Sequence, residues 1–309
     1  MTKPSILYYE CLNYTKENTD LLIDTFNMYT LPDPKHDERI LSHVAESIEA
    51  IFLPLGFKFS ARKWGNFPKL KVIASNTTTR PETDPPVDGQ LVWLNDPEFL
   101  ENITSTAEHT LGLIMAVHRR LPHAHWSTWT EWNRYARSAP KMLSRSNLTI
   151  WGPGRVGTHL FDRAAPLFKT VWTIGENDRD EYINKTLEYT DVLALTLSCV
   201  GKQPVVTRDK LERLPKQAIV VNTARGEVLD HEALLHLLNT GHLWGAALDV
   251  LPNDHRFQYK GYDSLANKYL AYTKKSSHLI LTPHMAGSTE DAWNMTQRYI
   301  IDRVKEILI

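Results

Sequence analysis

Cysteine is almost missing from this chain. Its 309 residues include two, Cys11 and Cys199, too few for a disulfide framework and without the paired spacing of a zinc site, so no metal is expected. No apolar run approaches the ~20 residues that a spanning helix needs, which removes a membrane role. Neither sign of charge is in excess: 35 Lys and Arg stand against 36 Asp and Glu, for a net charge of −1. The cations are scattered, with no stripe for nucleic acid and no polybasic run for an anionic membrane surface. Internal repeats and low-complexity segments are lacking too. Met1-Thr2-Lys3-Pro4-Ser5 leads straight into a strand-like segment, which is not the pattern of a signal peptide. A reducing, cytoplasmic location is the resulting expectation.

What is present is ordinary globular composition, 42% apolar and 23% charged, in a chain long enough for two domains. Short apolar runs alternate with helical patterns. Strands are expected at Ile6 to Glu10, Met28 to Leu31, Ala50 to Leu55, Leu70 to Ser75 and Gln90 to Leu94, with helices over Asn18 to Phe26 and Asp37 to Ser47. Thr104 to Leu121 reads as a long helix linking two domains, with Ser105 and Glu108 at capping-box spacing. The βα rhythm resumes with strands at Leu148 to Trp151, Val171 to Ile174, Asp191 to Leu197, Ala218 to Thr223, Gly245 to Val250 and His278 to Thr282. Helices are expected over His159 to Phe168, Arg208 to Leu214, His231 to Leu238 and Glu290 to Leu308. This alternation argues for parallel sheets covered by helices.

Gly152-Pro153-Gly154-Arg155-Val156-Gly157 follows one of these strands and opens a helix-compatible stretch. Glycines in G-x-G-x-x-G spacing allow a tight turn, close approach to a pyrophosphate, and close packing of helix on sheet. The helix N-terminus then offers N–H groups to the phosphates. Ligands of open α/β sheets bind beyond the carboxyl ends of the strands. Three polar residues lie just past such ends: Arg225, Asp254 and His284. A histidine can exchange a hydroxyl proton near neutral pH, a carboxylate can hold its tautomer, and an arginine can clamp a substrate carboxylate.

Four blocks occur in order: Gly152 to Gly157, Val221-Asn222-Thr223-Ala224-Arg225-Gly226-Glu227-Val228-Leu229-Asp230, Ala247-Leu248-Asp249-Val250, and Leu281-Thr282-Pro283-His284-Met285-Ala286-Gly287-Ser288-Thr289. Together they resemble the D-isomer-specific 2-hydroxyacid dehydrogenases, and Lys69 to Ile73 with Ala107-Glu108 resemble that family's substrate-domain strand and linker helix. The resemblance implies two doubly wound parallel-sheet α/β domains. A Rossmann cofactor domain (103–284) would be inserted in a flavodoxin-like substrate domain (1–102 and 285–309). It implies hydride transfer between a nicotinamide cofactor and a small D-2-hydroxy acid or 2-oxo acid, by a homodimer. Arg225 would bind the substrate carboxylate, His284 would be the acid/base, and Asp254 would pair with it. Asn76, Thr77 and Thr78 would hold the carboxylate through their amides. Gly152, Pro153, Gly154, Arg155, Val156, Gly157, Leu197, Ser198, Thr223, Ala224, Asp249, His284 and Gly287 would line the cofactor, with Glu176 on the ribose.

Departures from the family pattern are specific. Asp254 replaces the usual glutamate, His255 the usual proline, and threonines stand in the substrate loop where glycine is common. Gly175 holds the expected acid position, followed by Glu176. No cation is immediately adjacent, so NAD is expected, while Arg179 leaves NADP possible. A non-catalytic dinucleotide-sensing protein of the same fold is the alternative function, and a formate- or phosphite-type donor a third. Other features have plainer readings. His123 and His125, two apart, diverge on a helix and read as surface. Trp126, Trp129 and Trp132 read as interface or core, in the place of the family's dimerisation arm. Arg62 and Lys63 read as a solvated face, and Cys199 as an inert buried thiol.

Overall fold

A computed structural model describes residues 3–35, 42–59, 65–81, 83, 90–133, 140–197, 204–257 and 261–309. Of the candidate positions read from sequence, Ser198, Cys199, Arg62 and Lys63 lie outside the described residues. The chain forms two units, one of Met1–Ile103 with Thr289–Ile309 and one of Thr104–Ser288. No helix among the described residues is long and apolar enough to cross a membrane.

The first unit contains β1 (Ser5–Tyr9), α1 (Lys16–Thr25), β2 (Asn27–Leu31), α2 (Ser42–Ala45), β3 (Ile48–Phe52), β4 (Val72–Ala74), β5 (Gln90–Val92) and α3 (Pro97–Glu101). Its parallel sheet runs β2-β1-β3-β4-β5, the flavodoxin-like order. Alternate residues of each strand enter different cores. Ile6, Tyr8, Ala50, Phe52, Val72 and Ala74 pack in one cluster with Ile300, Ile301 and Val304 of the last helix, Glu290–Leu308. Leu7, Tyr9, Ile51 and Ile73 pack in the other. Burial on both faces explains why these strands read as apolar runs rather than as alternating patterns. β3 ends three residues earlier than the sequence pattern suggests, because Pro54 has no N–H to continue the ladder.

The second unit contains α4 (Ser105–His118), α5 (Leu121–Ser127), β6 (Asn147–Trp151), α6 (Arg155–Ala164), β7 (Thr170–Ile174), α7 (Asp180–Glu188), β8 (Val192–Leu195), α8 (Arg208–Glu212), β9 (Ala218–Asn222), α9 (His231–Asn239), β10 (Leu243–Leu248), α10 (Ser264–Thr273) and β11 (Leu279–Leu281). Its parallel sheet runs β11-β10-β9-β8-β6-β7. Strand order reverses between β6 and β8, so the glycine loop at the end of β6 stands at the topological switch point. The two-sheet parallel α/β architecture expected from the sequence is therefore present.

Several local details differ from the sequence reading. The capping box does not form at Ser105. The N-cap is Thr104, whose hydroxyl donates to a Glu108 carboxylate oxygen at 2.6 Å. The apolar face of this helix packs into the core of the second unit, where Leu113, Ile114 and Val117 meet Leu148, Ile150, Leu160 and Val192. The helix stops where Arg120 takes a left-handed backbone (φ 50°), and Pro122 stands in the first turn of α5. α6 starts at Arg155, inside the glycine motif, so its first turn belongs to the loop itself. α7 and α10 have few apolar positions and left little periodic signal. The buried residues of α10 are Ala266 and Tyr269, and Asp263 caps its start by accepting from the Ala266 amide at 2.8 Å. Trp126, Trp129 and Trp132 are 59%, 70% and 90% exposed, which excludes the core reading.

Candidate active site

The site is built on the carboxyl ends of β6, β9, β10 and β11. β6 ends at Trp151, and Gly152 turns the chain with φ 107°. A Cβ on Gly152 would lie 2.4 Å from the Leu197 Cα, so only glycine fits this turn. The Thr196 hydroxyl donates to the Gly152 carbonyl at 2.8 Å and fixes the loop against the end of β8. Gly157 sits against that same carbonyl. Gly154 has nothing within 4 Å of where a Cβ would be and is the N-cap of α6, with no side chain capping the helix. An open approach to an uncapped helix N-terminus is what a pyrophosphate needs. Pro153, Arg155 and Val156 complete the loop.

At the end of β7 the acid that bonds to the backbone is Asp178. Its carboxylate accepts from the Gly175 amide at 2.7 Å, and the Cβ position of Gly175 lies 3.7 Å from Pro153 Cγ. Glu176 is exposed and makes no hydrogen bond among the described residues.

β9 runs into Thr223, Ala224 and Arg225. The Asn222 side chain shapes this turn from within, accepting from the Ala224 amide at 3.0 Å and donating to the Arg225 carbonyl at 2.9 Å. Thr223 is buried, with its hydroxyl 2.7 Å from that of Thr110. Arg225 is half-buried, and its guanidinium donates to the Ala224 carbonyl at 2.7 Å.

Asp249 directly follows β10 and is 1% exposed. Its carboxylate accepts from the Thr282 hydroxyl at 2.5 Å and from the Met285 and Ala286 amides at 3.0 and 2.9 Å. Its carbonyl accepts from the His284 amide at 2.8 Å. Asp249 thus folds the turn after β11 around itself. That turn holds His284 at φ 51°, a left-handed conformation that costs a non-glycine residue roughly 1 kcal/mol. Gly287 closes the turn, its Cβ position 3.8 Å from the Thr106 hydroxyl. His109 of α4, a residue the sequence reading passed over, has Nε2 3.4 Å from the Thr282 hydroxyl and 3.5 Å from Asp249.

Asp254 opens a short 3-10 turn after Asn253, whose φ is 57°. Its Oδ2 lies 3.0 Å from His284 Nδ1 and accepts from the Leu251 amide at 3.2 Å. The shorter side chain therefore reaches the histidine. Its hydrogen bond to Asp254 pushes the His284 imidazole above its ordinary value. Desolvation works against that rise, the charges of Asp254 and Asp249 add to it, and Arg225 opposes it. Burial alone would raise the Asp254 carboxyl, but the bond and charge of His284 and the Leu251 and His255 amides hold it below its usual range. The linkage has a definite sign. His284 contributes stability that is complete below the ordinary histidine pKa and is lost as pH rises through its raised value. Asp254 contributes stability that is complete above the ordinary carboxylate pKa and is lost as pH falls through its lowered one.

The structure thus brings Arg225, Asp249, Asp254 and His284 to one edge of the second sheet. Asn76, Thr77 and Thr78 stand in the first unit, just beyond β4. Thr77 anchors their loop by donating from its hydroxyl to the Thr79 carbonyl at 2.8 Å and accepting the Leu94 amide at 3.0 Å. The amides of Asn76, Thr77 and Thr78 meet no acceptor among the described residues, and Asn76 Oδ1 is buried without a partner there.

These features define a dinucleotide-binding α/β protein with a carboxylate-paired histidine and an arginine on the nucleotide edge of its sheet. A sequence model of the D-isomer specific 2-hydroxyacid dehydrogenase NAD-binding domain matches residues 111–286, and the chain belongs to that family. It is 30% identical over 205 residues to a D-3-phosphoglycerate dehydrogenase of Bacillus subtilis, covering 62% of this chain and 36% of that protein. It is 26% identical over 283 residues to a glyoxylate reductase of Thermofilum pendens, covering 84% of this chain and 78% of that one. The chain therefore spans little more than a third of the Bacillus protein. Its fold is similar to that of the Aquifex aeolicus D-lactate dehydrogenase solved with NAD and lactic acid. The TM-score is 0.78 at 18% identity, over 98% of this chain and 95% of that one.

Proposed function

We propose that this protein interconverts a small D-2-hydroxy acid and its 2-oxo acid with NAD as cofactor. The observation that carries this reading is the convergence of Arg225, Asp254 and His284 at three neighbouring strand ends, with His284 Nδ1 3.0 Å from Asp254. The open Gly154, the uncapped start of α6 and the Thr196-fixed Gly152 fit a dinucleotide pyrophosphate. Loop residues 152–157, with Leu197, Ser198, Thr223, Ala224 and Gly287, would hold the cofactor, which when bound supplies or accepts hydride.

The chain's own groups do the rest. Arg225 binds the substrate carboxylate and polarises the reacting oxygen. The amides of Asn76, Thr77 and Thr78, which meet no acceptor among the described residues, would be further donors to a carboxylate. Asp254 occupies His284 Nδ1, which leaves the exchangeable proton on Nε2. In reduction Nε2 gives this proton to the oxo oxygen, and in oxidation it takes the hydroxyl proton. Asp249 keeps the turn that carries His284. Reduction therefore needs the imidazolium and declines as pH rises through the raised His284 pKa, whereas oxidation declines as pH falls through it.

Asp254→Asn leaves His284 without an anionic partner. The alkaline limb of the reductive profile should then move to lower pH, and kcat should fall by about 10- to 100-fold. An unmoved limb would show that another group sets His284.

Asp178 supports NAD over NADP. A carboxylate beside Gly175 and Pro153 accepts ribose hydroxyls and repels a 2′-phosphate. Asp178→Ser should raise kcat/KM with NADPH at least about tenfold, and Glu176→Ser should change it little. The opposite ranking would return the role to Glu176.

The exposed Trp126 and Trp129, with ring centroids 4.6 Å apart, support a homodimer through this arm. Replacing Trp126, Trp129 and Trp132 with serine should convert a dimer to a monomer in sedimentation velocity. An unchanged mass would place the interface elsewhere.

The reading as a whole is tested by mixing the protein with NADH and a panel of 2-oxo acids and following loss of the reduced cofactor. Saturable NADH binding without oxidation by any acid would favour a dinucleotide-sensing protein instead.

A further inference from the structure

We infer that His231 and Tyr269 form a buried positioning pair that sets the Arg225 turn and, through it, the Asp254 loop; the inference rests on the roles proposed above for those residues.

His231 is 7% exposed and Tyr269 is fully buried. His231 Nε2 lies 2.8 Å from the Gly226 carbonyl, and Nδ1 lies 2.7 Å from the Tyr269 hydroxyl. A carbonyl only accepts, so the hydrogen is on Nε2. Desolvation keeps the ring below the ordinary histidine range despite nearby Asp230, Glu227 and Asp263. The neutral ring therefore accepts at Nδ1 from Tyr269. Burial holds the tyrosine hydroxyl well above its usual range, so it remains a donor. The His231 carbonyl, 3.3 Å away, is a second acceptor for it.

The carbonyl held by this pair belongs to the residue directly after Arg225. Gly226 is pressed against the acid loop: a Cβ there would lie 2.1 Å from the Leu251 carbonyl carbon and from Pro252 N. The next residue, Glu227, accepts from the Asn253 amide at 3.0 Å. Asn253 immediately precedes Asp254. Asn253 and Tyr269 are thus both fastened to the segment 226–231, the first by Glu227 and the second by His231. Displacement of the Gly226 carbonyl moves Arg225 on one side and Leu251–Asp254 on the other. A close-packed contact without slack transmits such a shift.

The ring nitrogens supply a discriminating pair of substitutions. Glutamine can place a donor near the Nε2 position, whereas asparagine reaches only to that of Nδ1. In His231→Asn the Gly226 carbonyl loses its donor. KM for the 2-oxo acid should rise roughly three- to tenfold, the range that a lost buried hydrogen bond spans. The NADH Kd should stay within about twofold. His231→Gln should recover most of the lost affinity, and Tyr269→Phe should fall between the two. A readout that needs no turnover is the His284 ring titration in protein with 13C-labelled histidine, assigned by its absence in His284→Gln. His231→Asn should lower the His284 midpoint by about half a pH unit or more as Asp254 loosens. This measurement stands even if the protein reduces no 2-oxo acid. A His284 titration identical in wild type, His231→Asn and Tyr269→Phe would overturn the inference, whatever happens to melting temperature.

Discussion

His284→Ala should lose reductive turnover by roughly 10³-fold, the scale of a removed general acid, with NADH binding retained. The separation follows from the layout of the second unit. The proposed cofactor site centers on the Gly152–Gly157 loop, whose geometry is fixed by Gly152, Thr196 and Leu197. The imidazole sits instead on the turn after β11, tied to Asp249 and Asp254. Alanine also relieves the unfavourable left-handed backbone no better than histidine does, so the turn remains dependent on Asp249. His284→Gln is the gentler control, because it leaves a hydrogen-bonding side chain that cannot exchange a proton. Steady-state kinetics and NADH fluorescence titration read the two effects separately. Equal loss of cofactor binding and turnover would point to collapse of the site rather than removal of a proton donor.

Arg225→Ala should lower kcat/KM for the 2-oxo acid by about 10²- to 10³-fold, chiefly through KM. Arg225→Lys should recover only a part, because an ammonium cannot reproduce a planar, two-pronged contact with a carboxylate. A second consequence is independent of substrate. Arg225 holds the His284 imidazole down, so its removal should move the His284 midpoint upward. The alkaline limb of the reductive profile would then shift in the direction opposite to that expected for Asp254→Asn. Unchanged KM in Arg225→Ala would place the carboxylate elsewhere, on other donors than this guanidinium.

The parts of the molecule that were legible in sequence are those with repeated chemistry. β8, β9 and β10 are apolar on both faces, so their runs are continuous and their ends sharply marked. Arg225 and Asp254 follow the ends of β9 and β10 within a few residues, and His284 follows the shorter β11. The glycine spacing marked the turn at β6 but not where α6 begins, because glycine weakens a helical pattern even where packing requires it. The Asp178 contact left no mark in the sequence for a different reason. Its carboxylate bonds back to Gly175 from three residues further along, which only the shape of the turn shows. Tyr269 was hidden because α10 buries only two residues, too few to make a stripe. His231 read simply as the first residue of a helix. The spacing from 231 to 269 carries no local signal of a hydrogen bond.

The most direct measurement of the central claim is a single turnover with NADH deuterated at C4 and a 2-oxo acid that the panel identifies, followed by mass and chiral analysis of the product. The D-2-hydroxy acid should carry deuterium at C2 in wild-type protein, and His284→Ala should bind the same nucleotide while forming almost none of it. Bound nucleotide with no labelled hydroxy acid from wild type, or undiminished labelled product from His284→Ala, would contradict the account.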